Sequence, residues 1–298
     1  MFDRILVPLD GSAPAAAALA VAELIPSRRV QLLTVETDTQ GPILTSSPEW
    51  AAWRAGVDRD GRSLLEGLAE PLRRQGRAVE VSVAFGDPAD RIIAAGADAD
   101  LIVMGSAGRG SGGRYRYGSV ADRVARHATA PTLIVRGGDR AVAAPPLSRI
   151  VVPLDGSPLA EGALPMAATL ADLLGLPIHL VRAVDPDAVR AAVQAGGPAA
   201  AAHAASQAAV RRQADAYLAA EAQRLRDRDL AVTSEVRTGA PAAALLEAIG
   251  TGDLTVLTSH GRGGVRRWLL GSTAEKLVRL AAGPVLLVRP ARVDGDRS

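Results

Sequence analysis

Two glycine-rich stretches with arginine and hydroxyl side chains carry the strongest chemical signal in this sequence. Residues 105–119 read GSAGRGSGGRYRYGS, with six glycines, three arginines and no acidic residue, and residues 258–272 read TSHGRGGVRRWLLGS. Backbone N–H groups that no Cβ shields, followed by a helix N-terminus and a hydroxyl group, are well suited to bind a phosphate. The two stretches therefore predict a phosphate-bearing ligand, although glycines in this number also suit an ordinary mobile surface loop.

Two common phosphate-binding motifs do not explain these stretches. A P-loop needs a lysine beside its Ser or Thr, but the only lysine, Lys276, follows no such loop. Gly108, Gly110 and Gly113 match the dinucleotide pattern G-x-G-x-x-G, yet Arg266 takes the place of the third glycine in the second stretch. The spacing that recurs is instead G-x-x-G, nine residues, then G-S.

The glycine-rich stretches belong to a repeat that covers the whole chain. RILVPLDGS at residues 4–12 recurs as RIVVPLDGS at residues 149–157, and PTLIVR at 131–136 recurs as PVLLVR at 284–289. The offset grows from 145 to 153 residues, which places an insertion near the alanine-rich residues 188–205, as a loop or helix. We therefore expect two copies of one domain, over residues 1–140 and 141–298, joined by a linker at 137–148.

Each copy alternates apolar strands with helices, which predicts an α/β fold with a parallel sheet. Strands are expected near residues 5–9, 30–35, 79–84, 101–104 and 132–136, with Ser12 and Ser157 capping the first helices. Longer helices are expected at 59–75 and 206–226. Asp10 and Gly105 each follow a strand, so both lie at the carboxyl edge of the sheet, where such folds bind ligands.

The order and duplication of these motifs resemble the universal stress protein family, in its ATP-binding type with two tandem domains. The family carries an aspartate after the first strand, as in PLDGS here, and G-2x-G-9x-G-[S/T] after the fourth. The resemblance covers essentially the whole chain twice. It implies two copies of a five-stranded parallel-sheet sandwich with helices on both faces, Rossmann-like and similar to the adenine nucleotide alpha hydrolases.

The resemblance also implies where ATP, with Mg²⁺ as an accompanying ion, would bind. The aspartates would face the adenosine, the backbone at Val35 and Val184 would read the adenine edge, and the glycine–serine segments would hold ribose and phosphates. The implied set in the first copy is Pro8, Asp10, Val35, Met104, Gly105, Ser106, Gly108, Arg109, Gly118, Ser119 and Val120. In the second copy it is Pro153, Asp155, Val184, Thr258, Ser259, Gly261, Arg262, Gly271, Ser272 and Thr273.

Several of these residues also have a plain structural interpretation. Asp10 and Asp155 in D-G-S suit an ordinary turn or cap, and Arg109 and Arg262 suit solvated surface positions. The second copy departs from the family pattern at Thr258, whose Cβ is expected to hinder close approach of a ligand to the backbone. His260 has no evident carboxylate partner, so we assign it no catalytic role.

Composition narrows the class of protein further. The net charge of +2 indicates no nucleic-acid partner, the absence of cysteine excludes thiolate metal sites, and no apolar run reaches the length of a membrane span. With no signal peptide at its start, the chain is expected in the cytoplasm. The functions left open are a nucleotide-binding stress or signalling protein, a weak ATPase or adenylyl-transfer enzyme, and a non-binding interaction module. Residues 132–136 and 285–289 are expected to pair antiparallel as a pseudo-dimer within the chain, with a further homodimer left open.

Overall fold

The computed structural model describes residues 1–37, 47–106, 117–136, 146–186, 200–258 and 271–289 of the chain. The chain divides into two compact units, Met1–Ala144 and Pro145–Ser298, called the first and the second unit below. Each unit contains five parallel strands connected through helices, which confirms the predicted α/β class.

The first unit alternates strands and helices along its whole length. Its elements are β1 (Phe2–Pro8), α1 (Ala13–Leu24), β2 (Ser27–Glu36), α2 (Pro48–Arg74), β3 (Ala78–Phe85), α3 (Pro88–Ala95), β4 (Leu101–Gly105), α4 (Ser119–His127) and β5 (Thr132–Val135). The strands pair in the order β3-β2-β1-β4-β5, all in parallel. The chain reverses its direction of travel across the sheet between β1 and β4, so this pair is the switch point at which such folds bind ligands.

The second unit repeats this arrangement, with one more helix than the first unit among the described residues. Its elements are β6 (Arg149–Pro153), α5 (Pro158–Glu161), α6 (Leu164–Leu174), β7 (Ile178–Val184), α7 (Ala200–Arg226), β8 (Val232–Thr238), α8 (Pro241–Ala248), β9 (Asp253–Thr258), α9 (Ser272–Leu280) and β10 (Val285–Val288). The strands pair in the order β10-β9-β6-β7-β8. The switch point therefore lies between β6 and β9.

The first helix of each unit begins where the sequence predicts. Ser12 Oγ accepts a hydrogen bond from the Ala15 N–H at 3.3 Å, and Ser157 Oγ accepts one from the Ala160 N–H at 3.2 Å. Each helix has a proline in its first turn, where no intrahelical N–H bond is lost. Both predicted N-caps are confirmed.

The long helices start earlier than the periodicity of the sequence indicates. Helix α2 begins at Pro48 rather than near residue 59, because Ser47 caps it by accepting from the Trp50 N–H at 3.1 Å. Helix α7 begins at Ala200, inside the alanine-rich insertion. No helix in the described ranges is both long and apolar enough to cross a membrane.

Gly105, at the end of β4, lies against the backbone of the first turn of α1. A Cβ added at Gly105 would be 2.7 Å from the carbonyl carbon of Pro14 and 2.9 Å from the nitrogen of Ala15. Those atoms are backbone atoms of a capped helix and have little freedom to move. A glycine at this position therefore allows β4 and α1 to approach closely.

The second unit solves the same packing problem with a different pair of residues. Thr258 takes the place of Gly105, and its Oγ1 donates a hydrogen bond to the Leu159 carbonyl at 2.9 Å. A Cβ at Gly162 would lie 3.3 Å from Thr258 Cγ2, and at Gly162 the helix ends its first segment, α5. The first unit has Ala17 at the matching position and a continuous helix, whereas the second unit divides the same stretch into α5 and α6.

Two aspartates anchor the strand starts at the opposite edge of each sheet. Asp100 Oδ2 accepts from the N–H groups of Asp3 and Arg4 at 2.7 and 3.0 Å. Asp253, only 3% exposed, accepts from both Nε and Nη2 of Arg149 at 2.9 Å and from the Gly250 N–H at 2.7 Å. These bonds tie together the two strands on either side of the switch point.

The pKa of Asp253 reflects a balance of opposing effects. Burial alone raises the pKa of this carboxyl group, but the bonds from Arg149 and the Gly250 N–H outweigh burial, and the pKa lies below its ordinary value of 3.8. A lowered folded-state pKa means that the carboxylate stabilises the fold above pH 3.8. That stabilisation is lost as the pH falls through the folded-state pKa.

Asp253→Asn is predicted to lower the free energy of unfolding by about 1.5–3 kcal/mol at pH 7, since hydrogen bonds to a charged group are lost. The measurement is urea unfolding of the full chain at pH 7 and at steps below pH 3.8. The difference in free energy of unfolding between wild type and variant should become smaller at acid pH, because the wild-type carboxyl group is then protonated and, like the asparagine amide, uncharged. Asp172→Asn removes only an exposed ion pair to Arg228 at 3.9 Å and is the control. An equal loss from both substitutions contradicts the assignment.

Gly105→Ala is predicted to lower the free energy of unfolding by about 1–3 kcal/mol, because the new Cβ overlaps fixed backbone atoms of α1. Gly67→Ala is the matched control, because a Cβ at Gly67 in α2 meets no atom within 4 Å. That substitution is expected to stabilise the protein by about 0.5–1 kcal/mol through helix propensity. Urea unfolding of both variants checks the opposite signs; a stabilising effect at both positions refutes the packing account.

Candidate functional site

The aspartate that follows β1 organises the turn into the first helix. Asp10 Oδ1 accepts hydrogen bonds from the Ser12 N–H at 3.0 Å and from Ser12 Oγ at 2.5 Å. Gly11, between them, has a φ of +76°, a conformation that glycine adopts without steric cost. The interpretation of D-G-S as a turn is therefore confirmed for Asp10. The turn also places a half-buried carboxylate at the carboxyl edge of the sheet.

The described ends of the first glycine-rich stretch meet at one point of the sheet edge. The Ser106 N–H donates to the Val135 carbonyl at 2.8 Å, and the Gly118 N–H donates to the Ser106 carbonyl at 2.7 Å. The chain thus leaves β4 and returns at the same place, directly before α4. Gly108 and Arg109 fall in residues 107–116, outside the described ranges.

Helix α4 begins at this point without a side-chain cap. Its N-cap residue is Gly118, and no side chain in the described ranges accepts from its first-turn N–H groups. Ser119 and Val120 are the first two residues of the helix, so their backbone N–H groups belong to the amides that an α-helix leaves unpaired. The positive end of the helix dipole and these amides favour an anion.

The close packing of Gly105 joins the aspartate turn to this helix start. Gly105 contacts Pro14 and Ala15, two and three residues beyond the cap residue Ser12, while the next residue, Ser106, bonds to Gly118. A carboxylate, a hydroxyl and unpaired helix amides therefore adjoin one another at the switch point between β1 and β4. This combination suits a ligand that carries both hydroxyl groups and a phosphate.

An ion-pair network fixes α4 on the neighbouring helix. Asp87 caps α3, accepting from the Asp90 N–H at 3.0 Å, and both its oxygens accept from Arg123 Nη1 at 3.0 Å. The bond from the Asp90 N–H is the main reason that the pKa of Asp87 is lowered, with Arg123 adding to it. The second unit has Ala240 and Lys276 at the positions of Asp87 and Arg123, so this brace belongs to the first unit.

The second unit assembles a similar edge with different details. Asp155 Oδ1 accepts from the Ser157 N–H at 2.8 Å, and its residue is exposed. Helix α9 begins at Ser272 and Thr273 behind Gly271, again with no side-chain cap in the described ranges. Thr258 uses its hydroxyl in the bond to Leu159 and is buried. Ser259, Gly261 and Arg262 lie outside the described residues.

The remaining residues of the implied set lie at strand ends. Pro8 and Pro153 are the last residues of β1 and β6, and Met104 is buried in β4. Val35 and Val184 lie near the ends of β2 and β7, but they do not occupy equivalent positions. The equivalence of the two strands follows from their pairing with β1 and β6. Ile5 pairs with Val30 and Ile150 pairs with Ile178, which makes Glu36 the counterpart of Val184. The Gly86 N–H donates to Glu36, and the Gly239 N–H donates to Val184.

Sequence reasoning did not single out a polar group beside the Asp155 turn. Arg182 in β7 places its guanidinium 5.1 Å from the centre of the Tyr217 ring, and the Tyr217 hydroxyl donates to Glu161 at 3.0 Å. The only signal in the sequence was an arginine within the apolar strand IHLVRAV, where the first copy has Thr34.

Comparisons with known proteins agree with this architecture. The sequence model of the universal stress protein family matches residues 1–136 and 146–289. Universal stress protein Rv2005c of Mycobacterium tuberculosis is 27% identical over 299 residues, covering 96% of each chain. YxiE of Bacillus subtilis, also a universal stress protein, is 31% identical over 148 residues, which is 46% of this chain and all of that protein.

A solved structure shares the fold over nearly the full length. The crystal structure of a universal stress protein from Archaeoglobus fulgidus aligns with a TM-score of 0.70 at 21% identity, covering 96% of this chain and 98% of that one. Together with the family match to both halves of the sequence, this likeness establishes that the chain belongs to the universal stress protein family, as a tandem repeat of its domain.

Proposed function

We propose that the protein binds ATP at the carboxyl edge of the first unit, in the cytoplasm, and that the bound nucleotide changes its conformation or its contacts with a signalling partner. The observation that carries the proposal is the Gly118–Ser106 hydrogen bond, which brings the uncapped start of α4 back to the end of β4. An anion at that point would meet the unpaired backbone amides at the start of α4.

The neighbouring Asp10 turn supports a nucleotide rather than a free phosphate. A carboxylate accepts hydrogen bonds from ribose hydroxyl groups, and Asp10 is held close to the phosphate position through Gly105 and α1. The choice of adenine rests on the resemblance of the G-x-x-G and G-S spacing to that of the ATP-binding members. Mg²⁺ would be held by the nucleotide's phosphates together with one or two carboxylates, for which Asp10 is a candidate.

The second unit is proposed to carry a second nucleotide site that is not equivalent to the first. Its edge has the same aspartate turn and the same uncapped helix start. It lacks the Arg123–Asp87 brace, and Thr258 packs on α5 in place of a glycine. The pairing of residues 132–136 with residues 285–289, and any homodimer, stay predictions from the sequence.

Gly118→Val is predicted to weaken ATP binding by at least about tenfold. Gly118 has a φ of −72° and a ψ of 149°, an extended conformation that valine adopts readily, so the chain should still fold. Gly118 is the N-cap residue of α4, so the added side chain is expected to crowd a phosphate bound at the α4 amides. Isothermal titration calorimetry of ATP into the purified full chain measures the effect, with circular dichroism to verify folding.

Gly271→Val is the matched control in the second unit, where Gly271 has a φ of −61° and a ψ of 152°. It should leave the first unit's ATP affinity unchanged. Chromatography of small molecules released from the denatured protein tests whether a nucleotide is carried through purification. No released adenine nucleotide and no heat of ATP binding to the wild type would refute the proposal.

A further inference from the structure

The guanidinium group of Arg182 lies beneath the turn that carries Asp155. A Cβ added at Gly156 would be 3.0 Å from Arg182 Nη1, so the cation occupies the space on the side-chain side of that glycine. Arg182 is the fifth residue of β7, near the carboxyl end of the strand, and it is half-buried. It therefore adjoins the aspartate turn on the side away from the phosphate-binding helix α9.

A tyrosine and a glutamate hold this arginine in place. The guanidinium lies 5.1 Å from the centre of the Tyr217 ring, within the range of a cation–π contact. The Tyr217 hydroxyl in turn donates to Glu161 Oε1 at 3.0 Å, which ties α7 to α5. Burial and this bond raise the pKa of Tyr217, so the phenol stays protonated and the contact persists at neutral pH.

The donors of Arg182 are not used by the part of the protein that the structure describes. None of the described residues accepts a hydrogen bond from its guanidinium or forms an ion pair with it. An arginine carries five N–H donors in a planar fork, and no Arg182 nitrogen is among the buried unpartnered side-chain atoms of the described residues, so these donors reach solvent. A ligand with two adjacent acceptors would use the edge of the fork that Tyr217 leaves accessible.

The first unit has no such group. Thr34 occupies the position of Arg182 and Leu64 that of Tyr217. There α2 comes close to the sheet instead, since a Cβ at Gly61 would lie 3.3 Å from Thr34 Cγ2 and 3.0 Å from Val83 Cγ2. The base of the proposed nucleotide would lie at the ends of β2 and β7, near Val35 and Val184. That region is packed with apolar atoms in the first unit and contains a cation in the second.

We infer that Arg182 is a specificity residue that makes the second unit prefer a guanine nucleotide over ATP, an inference that rests on the proposed nucleotide site. Guanine presents O6 and N7 as two adjacent acceptors, which the arginine fork contacts together. Adenine presents N7 beside the N6 amino group, a donor that would face the guanidinium donors. The discrimination expected from one such bidentate contact is about tenfold or more.

The test uses the full chain with Gly118→Val, so that the second unit dominates binding, and titrates it with GTP, ITP and ATP. Inosine keeps O6 and N7 but lacks the 2-amino group, so ITP should bind as GTP does and both about tenfold tighter than ATP. Arg182→Thr, which copies Thr34, should bring the three affinities together. Arg182→Lys keeps the charge without the fork and should also lose the preference, which makes it the second variant if Arg182→Thr unfolds.

The outcomes separate this inference from the proposed function. Equal affinities for GTP and ATP before Arg182 is changed, or a GTP preference that survives both Arg182 variants, overturn the inference. In that case ATP binding to the wild type that is lost with Gly118→Val still supports the first-unit site. Absence of binding by all three nucleotides to the wild type overturns both.

Discussion

The close approach of β4 to the first turn of α1 is the constraint on which the candidate site depends. Gly105 and Pro14 lie so near that no Cβ fits between them. This contact holds the Asp10 turn beside the end of β4, and the Gly118–Ser106 bond then returns the chain to the same place. A wider separation of α1 from β4 would part the carboxylate from the helix amides, and a nucleotide would not span both.

Duplication allowed the same constraint to be met in two ways. The first unit keeps a continuous helix and removes the side chain from the strand at Gly105. The second unit keeps the side chain at Thr258, bonds it to Leu159, and ends α5 at Gly162 to make room. In each unit the residue at the strand end and the residue in the facing helix must match: Gly105 with Ala17 in the first unit, and Thr258 with Gly162 in the second. We therefore expect a substitution at one of the two positions alone to destabilise the packing.

The sequence predicted what depends on local patterns. Strand order of occurrence, the caps Ser12 and Ser157, and the edge location of Asp10 and Gly105 all follow from residues close together in the chain. The direction of the Thr258 side chain could not be predicted from neighbouring residues, because it depends on a bond to Leu159, ninety-nine residues away. The early start of α2 was missed because residues 48–58 have no clear apolar period, and Arg182 was missed because its significance depends on Tyr217 in a distant helix.

In the proposed nucleotide site, the phosphate and the base would be bound by different elements, and this separation would permit two units of one fold to select different nucleotides. The unpaired amides at the starts of α4 and α9 would recognise the charge of a phosphate whatever the base. The base would lie at the end of β2 or β7 beside the long helix of the same unit, where the first unit has Thr34 and Gly61 and the second unit has Arg182 and Tyr217. Those residues do not take part in the Gly105 or Thr258 packing, so under the proposed function their replacement would change the base preference without loss of phosphate binding.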